Sequence, residues 1–235
     1  MAMFEYLKSP NYSVVNSLSY KEKIQSTFLM YLKYLITVLL IFGILKIVDS
    51  FLIEYFFGTS IVDQLKLNQN NLKEKFGKYT FLVVVLIGPL MEEILFRLPL
   101  GLKKSGIALA CAVLSYRLLS KHFFVFEYTN PYAYVSIALA LLTFLLVTKF
   151  LPDSWLTFLK RRYAYFFYFF AISFALIHVT NFAPYDERLI LFYPLFTLPQ
   201  FVMALFIGYT RIKYGFVWGI ILHSMINLPA IFLMK

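Results

Sequence analysis

Unbroken runs of about twenty mostly apolar residues recur along this chain, the length a helix needs to cross the hydrocarbon core of a bilayer. Seven such runs read from the sequence: 27–57, 79–102, 106–127, 131–151, 163–183, 189–210 and 216–234. The first is too long for one straight crossing, so it reads as a tilted helix or as a span followed by an interfacial turn. The runs are continuous rather than alternating, which argues against a β-barrel. Hydrophobic residues make up 61% of the chain and charged residues 14%, against roughly 45–50% and 25% in soluble domains. A soluble fold of 235 residues leaves too much surface exposed to hide that composition. The expectation is an all-α, polytopic transmembrane bundle of about seven spans, with six to eight as the range.

The links between runs are short, except for 58–78, which reads as a polar link with Asn68, Asn70, Asn71 and several lysines. Short links make neighbouring spans antiparallel hairpins. The chain divides into a polar segment at 1–26, a first span with its polar loop at 27–78, and a core at 79–235. The net charge is +10. In a soluble protein that excess would suggest nucleic acid. Here the basic residues mostly cluster between the runs, as the positive-inside bias and anionic headgroups require. The expected surroundings are therefore lipid, and no nucleic-acid partner is expected. Basic residues at 103–104, 160–162 and 211–213, with Lys8, Lys21 and Lys23, outnumber those on the opposite side. That bias orients the N-terminus toward the cytoplasm, in what reads as a prokaryotic inner membrane. Segment 1–26 lacks the short apolar stretch of a cleavable signal peptide. Cys111 is the single cysteine; it forms no internal disulfide and reads as a small residue of an apolar run.

Function in such a chain is sought among the polar groups that lipid should exclude, because ionisable residues at mid-span cost several kcal/mol and face the bundle interior or a water cavity. Three clusters qualify. The first is Glu92-Glu93-Ile-Leu-Phe-Arg97. Glu93 and Arg97 stand four apart and share a helical face, so they read as an ion pair that makes the arginine tolerable. Glu92 points away from that pair and is not explained by it. A carboxylate in such a place suits general-base work. Pro89, one turn earlier, frees a backbone carbonyl near Val85. The second cluster is Phe174-Ala-Leu-Ile-His178, with Asn181 close to the same face. The third is His223-Ser-Met-Ile-Asn227, which puts two donors on one face. Taken alone, His178 reads as a histidine bonded to a neighbouring carbonyl, and His223 with Asn227 as an interhelical bond worth about 1 kcal/mol. The remaining histidine, His122, reads as interfacial. Counted from the basic loops, Glu92 and His223 lie level at about 15 Å depth, and His178 at about 24 Å. One shared site then requires a tilt, a kink or a late helix start. Arg117 lies mid-span in the run 106–127, with no obvious carboxylate near it in its own helix.

No His-Glu-x-x-His zinc helix, no Gly-x-Ser-Gly loop and no Gly-x-Gly-Asp motif is present. A hydrolase on this chain would use Glu and His to activate water. Glu92-Glu93-x-x-x-Arg97, Phe174-x-x-x-His178 and His223-x-x-x-Asn227, in that order and on helices, resemble the three signature motifs of the CAAX protease and bacteriocin-processing intramembrane peptidases, also called the Abi family. Pro89 and Phe96 suit the first motif. The resemblance covers about 80–235. It implies an intramembrane endopeptidase acting on a CAAX-type prenylated tail or another membrane-associated peptide. Carried onto these positions, Glu92 would activate the attacking water with His178 as its partner. His223 and Asn227 would stabilise the oxyanion, and Glu93 and Arg97 would hold the first helix. No cofactor is expected, because one Glu must stay free as the base and the ligand spacing is unremarkable. A zinc-dependent version, the alternative, would use Glu92, His178 and His223 as ligands. Against the family pattern, two further spans near 106–151 stand between the first and second motifs and read as an inserted hairpin. Two other readings fit the same scaffold: a non-catalytic bacteriocin-immunity or membrane-protein-binding protein, and a small proton-coupled transporter with Glu92 and the histidines as relay groups.

Overall fold

The computed structural model describes residues 2–12, 18–120 and 131–233. Among them every regular element is helical. His122 and the end of the run 106–127 lie outside the described residues.

Helix α1 (Ala2–Lys8) is followed by α2 (Tyr20–Val48), a π-helical stretch at Asp49–Glu54 and α3 (Tyr55–Phe57). Together the last three make one continuous helix, Tyr20–Phe57. At 1.5 Å per residue it extends well beyond a hydrocarbon core of about 30 Å. Ser19 starts it with a capping box: its hydroxyl accepts from Glu22 N and the Glu22 carboxylate accepts from Ser19 N. Gly58, at φ +67°, turns the chain.

Where the sequence reads as a polar link, the structure has helix α4 (Ile61–Phe76). Its start is built by Asp49 of the preceding helix. That fully buried carboxylate accepts from Ser60 Oγ at 2.6 Å and from Ile61 N at 2.8 Å, while Ser60 Oγ accepts from Asp63 N. After α4 the chain bends by 104° into a helix at Leu82–Phe96. That helix is π-helical at Leu82–Ile87 and α-helical in α5 (Gly88–Phe96).

Helices α6 (Lys104–Ser120) and α7 (Pro131–Phe150) form a hairpin. The short helix α8 (Asp153–Arg161) returns to the level where α6 starts, and Lys104 pairs with Asp153 at 3.0 Å. Helix α9 (Tyr163–Ile177) tightens into a 3₁₀ segment at His178–Phe182. A loop with a 3₁₀ turn at Glu187–Leu189 and the short α10 (Tyr193–Phe196) leads to α11 (Leu198–Tyr214) and α12 (Phe216–Leu233).

Among the described residues three helices are long and apolar enough to cross a membrane, Tyr20–Phe57, Tyr132–Phe150 and Tyr163–Phe182; the bent pair Ile61–Tyr79 with Leu82–Phe96 makes up to four. Among the described residues the other expected runs are helical over shorter lengths, and breaks divide two of them. Run 189–210 is divided at Thr197, and 79–102 ends α5 at Phe96.

The core joins α2, α5, α9, α11 and α12 through Tyr34, Phe96, Phe167, Phe174, Phe206 and Leu222. The N-terminal segment, which reads as merely polar, docks on this core: Met3 and Tyr6 are buried, and Tyr12 donates to Gly101 O at 3.1 Å. Lys160 lies over the Tyr12 ring and Lys213 over the Tyr6 ring. This end therefore gathers residues 3–12, 101, 160 and 211–213. A second cluster at the other end joins α2, α4 and the loop after α9 through Leu45, Ile61, Phe182, Leu189 and Tyr193.

Candidate active site

The first motif is placed by an irregular helix. Gly88 N donates to Val83 O, five residues back, and a Cβ on Gly88 would lie 2.9 Å from that oxygen. Only glycine fits so close an approach. In this π register the next donor in line, for Val84 O, is the N–H that Pro89 lacks. Asn227 supplies it instead: its Nδ2 donates to Val84 O at 3.0 Å. The freed carbonyl is thus Val84, one residue earlier than α-helical counting gives, and the third motif satisfies a carbonyl that the first motif leaves open.

Glu93 and Arg97 are buried, and Arg97 Nε stands 3.5 Å from Glu93 Oε1. The guanidinium lies over the Phe174 ring, with its carbon 3.7 Å from the ring centroid. Phe96 meets the same ring edge-on at 5.4 Å.

His223 is fully buried on α12, and its Nδ1 lies 2.9 Å from Glu93 Oε1. A carboxylate accepts, so Nδ1 carries the proton in this contact. Its Nε2 faces Glu92 Oε2 at 3.5 Å. Glu92 is the more open of the two carboxylates, with 30% of its side chain exposed. The helical wheel turns Glu92 away from the Glu93–Arg97 pair, and His223 stands between them, hydrogen-bonded to Glu93 through Nδ1 and with Nε2 facing Glu92.

His178 stands where α9 gives way to the 3₁₀ segment. Its Nδ1 lies 2.7 Å from Phe174 O. That carbonyl accepts, which leaves Nε2 as the open nitrogen of the neutral ring. The ring packs on Phe174 with centroids 4.6 Å apart, and Phe174 meets His223 at 5.9 Å. One aromatic ring therefore touches Arg97, His178 and His223. This convergence holds although His178 counts as deeper from the basic loops. Asn181, expected near the His178 face, instead lies in the 3₁₀ segment with its backbone carbonyl bonded to Asn68.

Buried polar atoms cluster here. Among the described residues, Glu93 Oε2, Arg97 Nη1 and Nη2, and His223 Nε2 have no hydrogen-bond partner. Unmatched buried donors and acceptors are costly, and they give the site hydrogen-bonding capacity for water or a peptide. No three His, Cys, Asp or Glu side chains among the described residues converge as a ligand set.

Two participants were not singled out by sequence reasoning. Val84 contributes only a carbonyl, and its role depends on the π register. Asn68 lies in a polar run where nothing sets it apart from Asn70 and Asn71.

A helical bundle with long apolar crossings and a buried Glu-Glu-Arg, His and His-Asn cluster defines an integral membrane protein with the outline of an intramembrane protease. The family model described as Type II CAAX prenyl endopeptidase Rce1-like matches residues 75–229, about two thirds of the chain. The chain belongs to this Rce1-like family, and the match spans all three motifs. No curated protein and no solved structure matches it.

Proposed function

We propose that the protein is an intramembrane endopeptidase that hydrolyses a peptide bond with water activated by glutamate, without a metal. The observation that carries the reading is the meeting of all three motifs around Phe174, with His223 between Glu92 and Glu93. Glu92, the more open carboxylate, takes a proton from water as the water oxygen attacks the scissile carbonyl carbon. His178 offers its open nitrogen to the same water. The carbonyl oxygen becomes an oxyanion and is met by two donors. One is His223 through Nε2, when the ring holds both protons. The other is the second N–H of Asn227, whose first N–H goes to Val84. The C–N bond then breaks, and Glu92 returns its proton to the leaving amine. Glu93 and Arg97 hold His223 and the end of α5. The substrate class is a CAAX-type prenylated tail or another membrane-associated peptide, reached from a bilayer crossed by about seven spans, with the N-terminus in the cytoplasm.

The test is a cleavage time course on purified protein in nanodiscs, wild type beside Glu92→Ala. A peptide mixture that includes prenylated tails is read by mass spectrometry, with and without chelator. Cleavage by wild type alone, unaffected by chelator, is the expected result. Full turnover by Glu92→Ala would remove Glu92 as the base, and loss of turnover with chelator would overturn the metal-free mechanism.

A further inference from the structure

Helix α4 stands almost wholly before the residues that the family model matches, yet it is fastened to the turn that begins at His178. Asn68 Nδ2 lies 2.7 Å from Asn181 O and 2.5 Å from Ala183 O. A carboxamide nitrogen carries two hydrogens, so one side chain serves both carbonyls. Both carbonyls lie at the end of the α9 and 3₁₀ ladder, where backbone acceptors run out of helical partners. A second fastening lies beside the first. Tyr193 donates to Gln64 Oε1 at 3.1 Å and accepts from Asp186 N at 2.9 Å. Phe182 stacks on the Tyr193 ring, with centroids 5.4 Å apart and planes at 22°. Under these bonds Ile61 and Leu65 of α4 pack in one apolar cluster with Val179, Phe182 and Leu189. The anchor continues back through Asp49, which binds the first turn of α4 to the long first helix.

The His178 ring is hydrogen-bonded to the Phe174 carbonyl and packs on the Phe174 ring, both on its own helix. Its direction otherwise follows the backbone of residues 177–182, where the helix tightens. That backbone is the part α4 grips. We infer that α4 is a strap that sets the position of His178, and that Asn68 is the positioning residue. The kinetic consequence of this inference rests on the peptidase reading; the placement of the histidine does not.

The experiment uses the full chain in nanodiscs: wild type, Asn68→Ala and Asn68→Asp, with Leu67→Ala on an exposed neighbouring position as control. Aspartate keeps the size, removes both donors and sets a carboxylate against two carbonyl oxygens. Nitrogen-15 spectra of histidine-labelled protein are assigned by replacing each of the three histidines in turn. The His178 signals should move in both Asn68 variants while those of His223 stay in place, and Leu67→Ala should change neither. On the peptides that the wild type cleaves, kcat should fall about 10–100-fold, the scale of an ångström-level misplacement, with KM unchanged. Unmoved His178 signals would overturn the inference, as would equal movement of His178 and His223, which marks general loosening. If the wild type cleaves none of the peptides, the peptidase reading fails, and the histidine spectra alone decide whether α4 positions His178. If Asn68→Asp does not fold, Asn68→Ser, which keeps a single donor, replaces it with the same expected pattern.

Discussion

Helices α7 and α9 are both long apolar crossings, and they meet opposite surroundings. Helix α7 packs on α6 and otherwise faces outward, with 11% of its apolar window buried, against 28% for α9. In the α6–α7 hairpin small residues are buried on both helices, Ala108 and Ala112 on one and Ala133 and Ser136 on the other, and the Thr143 and Ser115 hydroxyls meet at 3.3 Å. Small side chains let two backbones approach in a lipid solvent that gives no hydrophobic drive to associate. Helix α9 instead buries Tyr163, Phe167, Ala171 and Phe174, a stripe at helical spacing. That stripe packs against α5, α11 and α12 and surrounds the polar cluster. The difference teaches that hydropathy identifies a crossing, while side-chain size and the neighbouring polar groups decide whether it serves the site or faces lipid.

The largest expected effect is at Glu93. Glu93→Ala leaves Arg97 buried without its counter-charge and His223 Nδ1 without its acceptor. Removing one member of a buried pair costs about 3–5 kcal/mol, to be read by reversible unfolding in mixed detergent. The paired change Glu93→Leu with Arg97→Met should recover most of that loss. If Glu93→Ala alone is as stable as wild type, the cluster is not what distinguishes the α9 region. An intermediate effect is expected at Gly208 of α11. A Cβ there would come within 2.8 Å of the Phe167 ring, which is itself buried and cannot retreat. Gly208→Ala should cost about 1–3 kcal/mol through overpacking in the same unfolding measurement. The smallest effect belongs to the hairpin. Leu145 of α7 is 62% exposed, and in a bilayer that surface meets lipid. Leu145→Ala should change stability by no more than about 0.5 kcal/mol and leave cleavage unchanged. A larger loss would mean that α7 has a protein neighbour in the membrane.

Much of the site was legible because lipid makes polar residues conspicuous. Glu92, Glu93, Arg97, His178, His223 and Asn227 each stand inside a long apolar run, where the cost of desolvation marks them out. The Glu93–Arg97 pairing followed from a spacing of four. What stayed illegible were contacts between distant segments and departures from the α-helical register. The Val84–Asn227 bond needs a π turn that shifts the open carbonyl by one residue. The docking of 3–12 depends on Tyr6 and Tyr12 finding α9, α11 and Gly101, and nothing in their own neighbourhood announces it. Segment 58–78 reads as a link because its polarity resembles that of a loop, yet Asp49 and Ser60 start a helix there.

The sequence by itself determined the solvent, the helical class and the identity of the polar groups. Those are local properties: a run of apolar residues must satisfy its backbone within a helix when lipid surrounds it, and a charge within that run is recognisable wherever it stands. Only the tertiary structure decided which carboxylate meets which histidine nitrogen, which carbonyl Asn227 satisfies and which helix holds the turn at His178. Those are distances between segments far apart in the chain, set by helix breaks and by packing on one shared ring, Phe174.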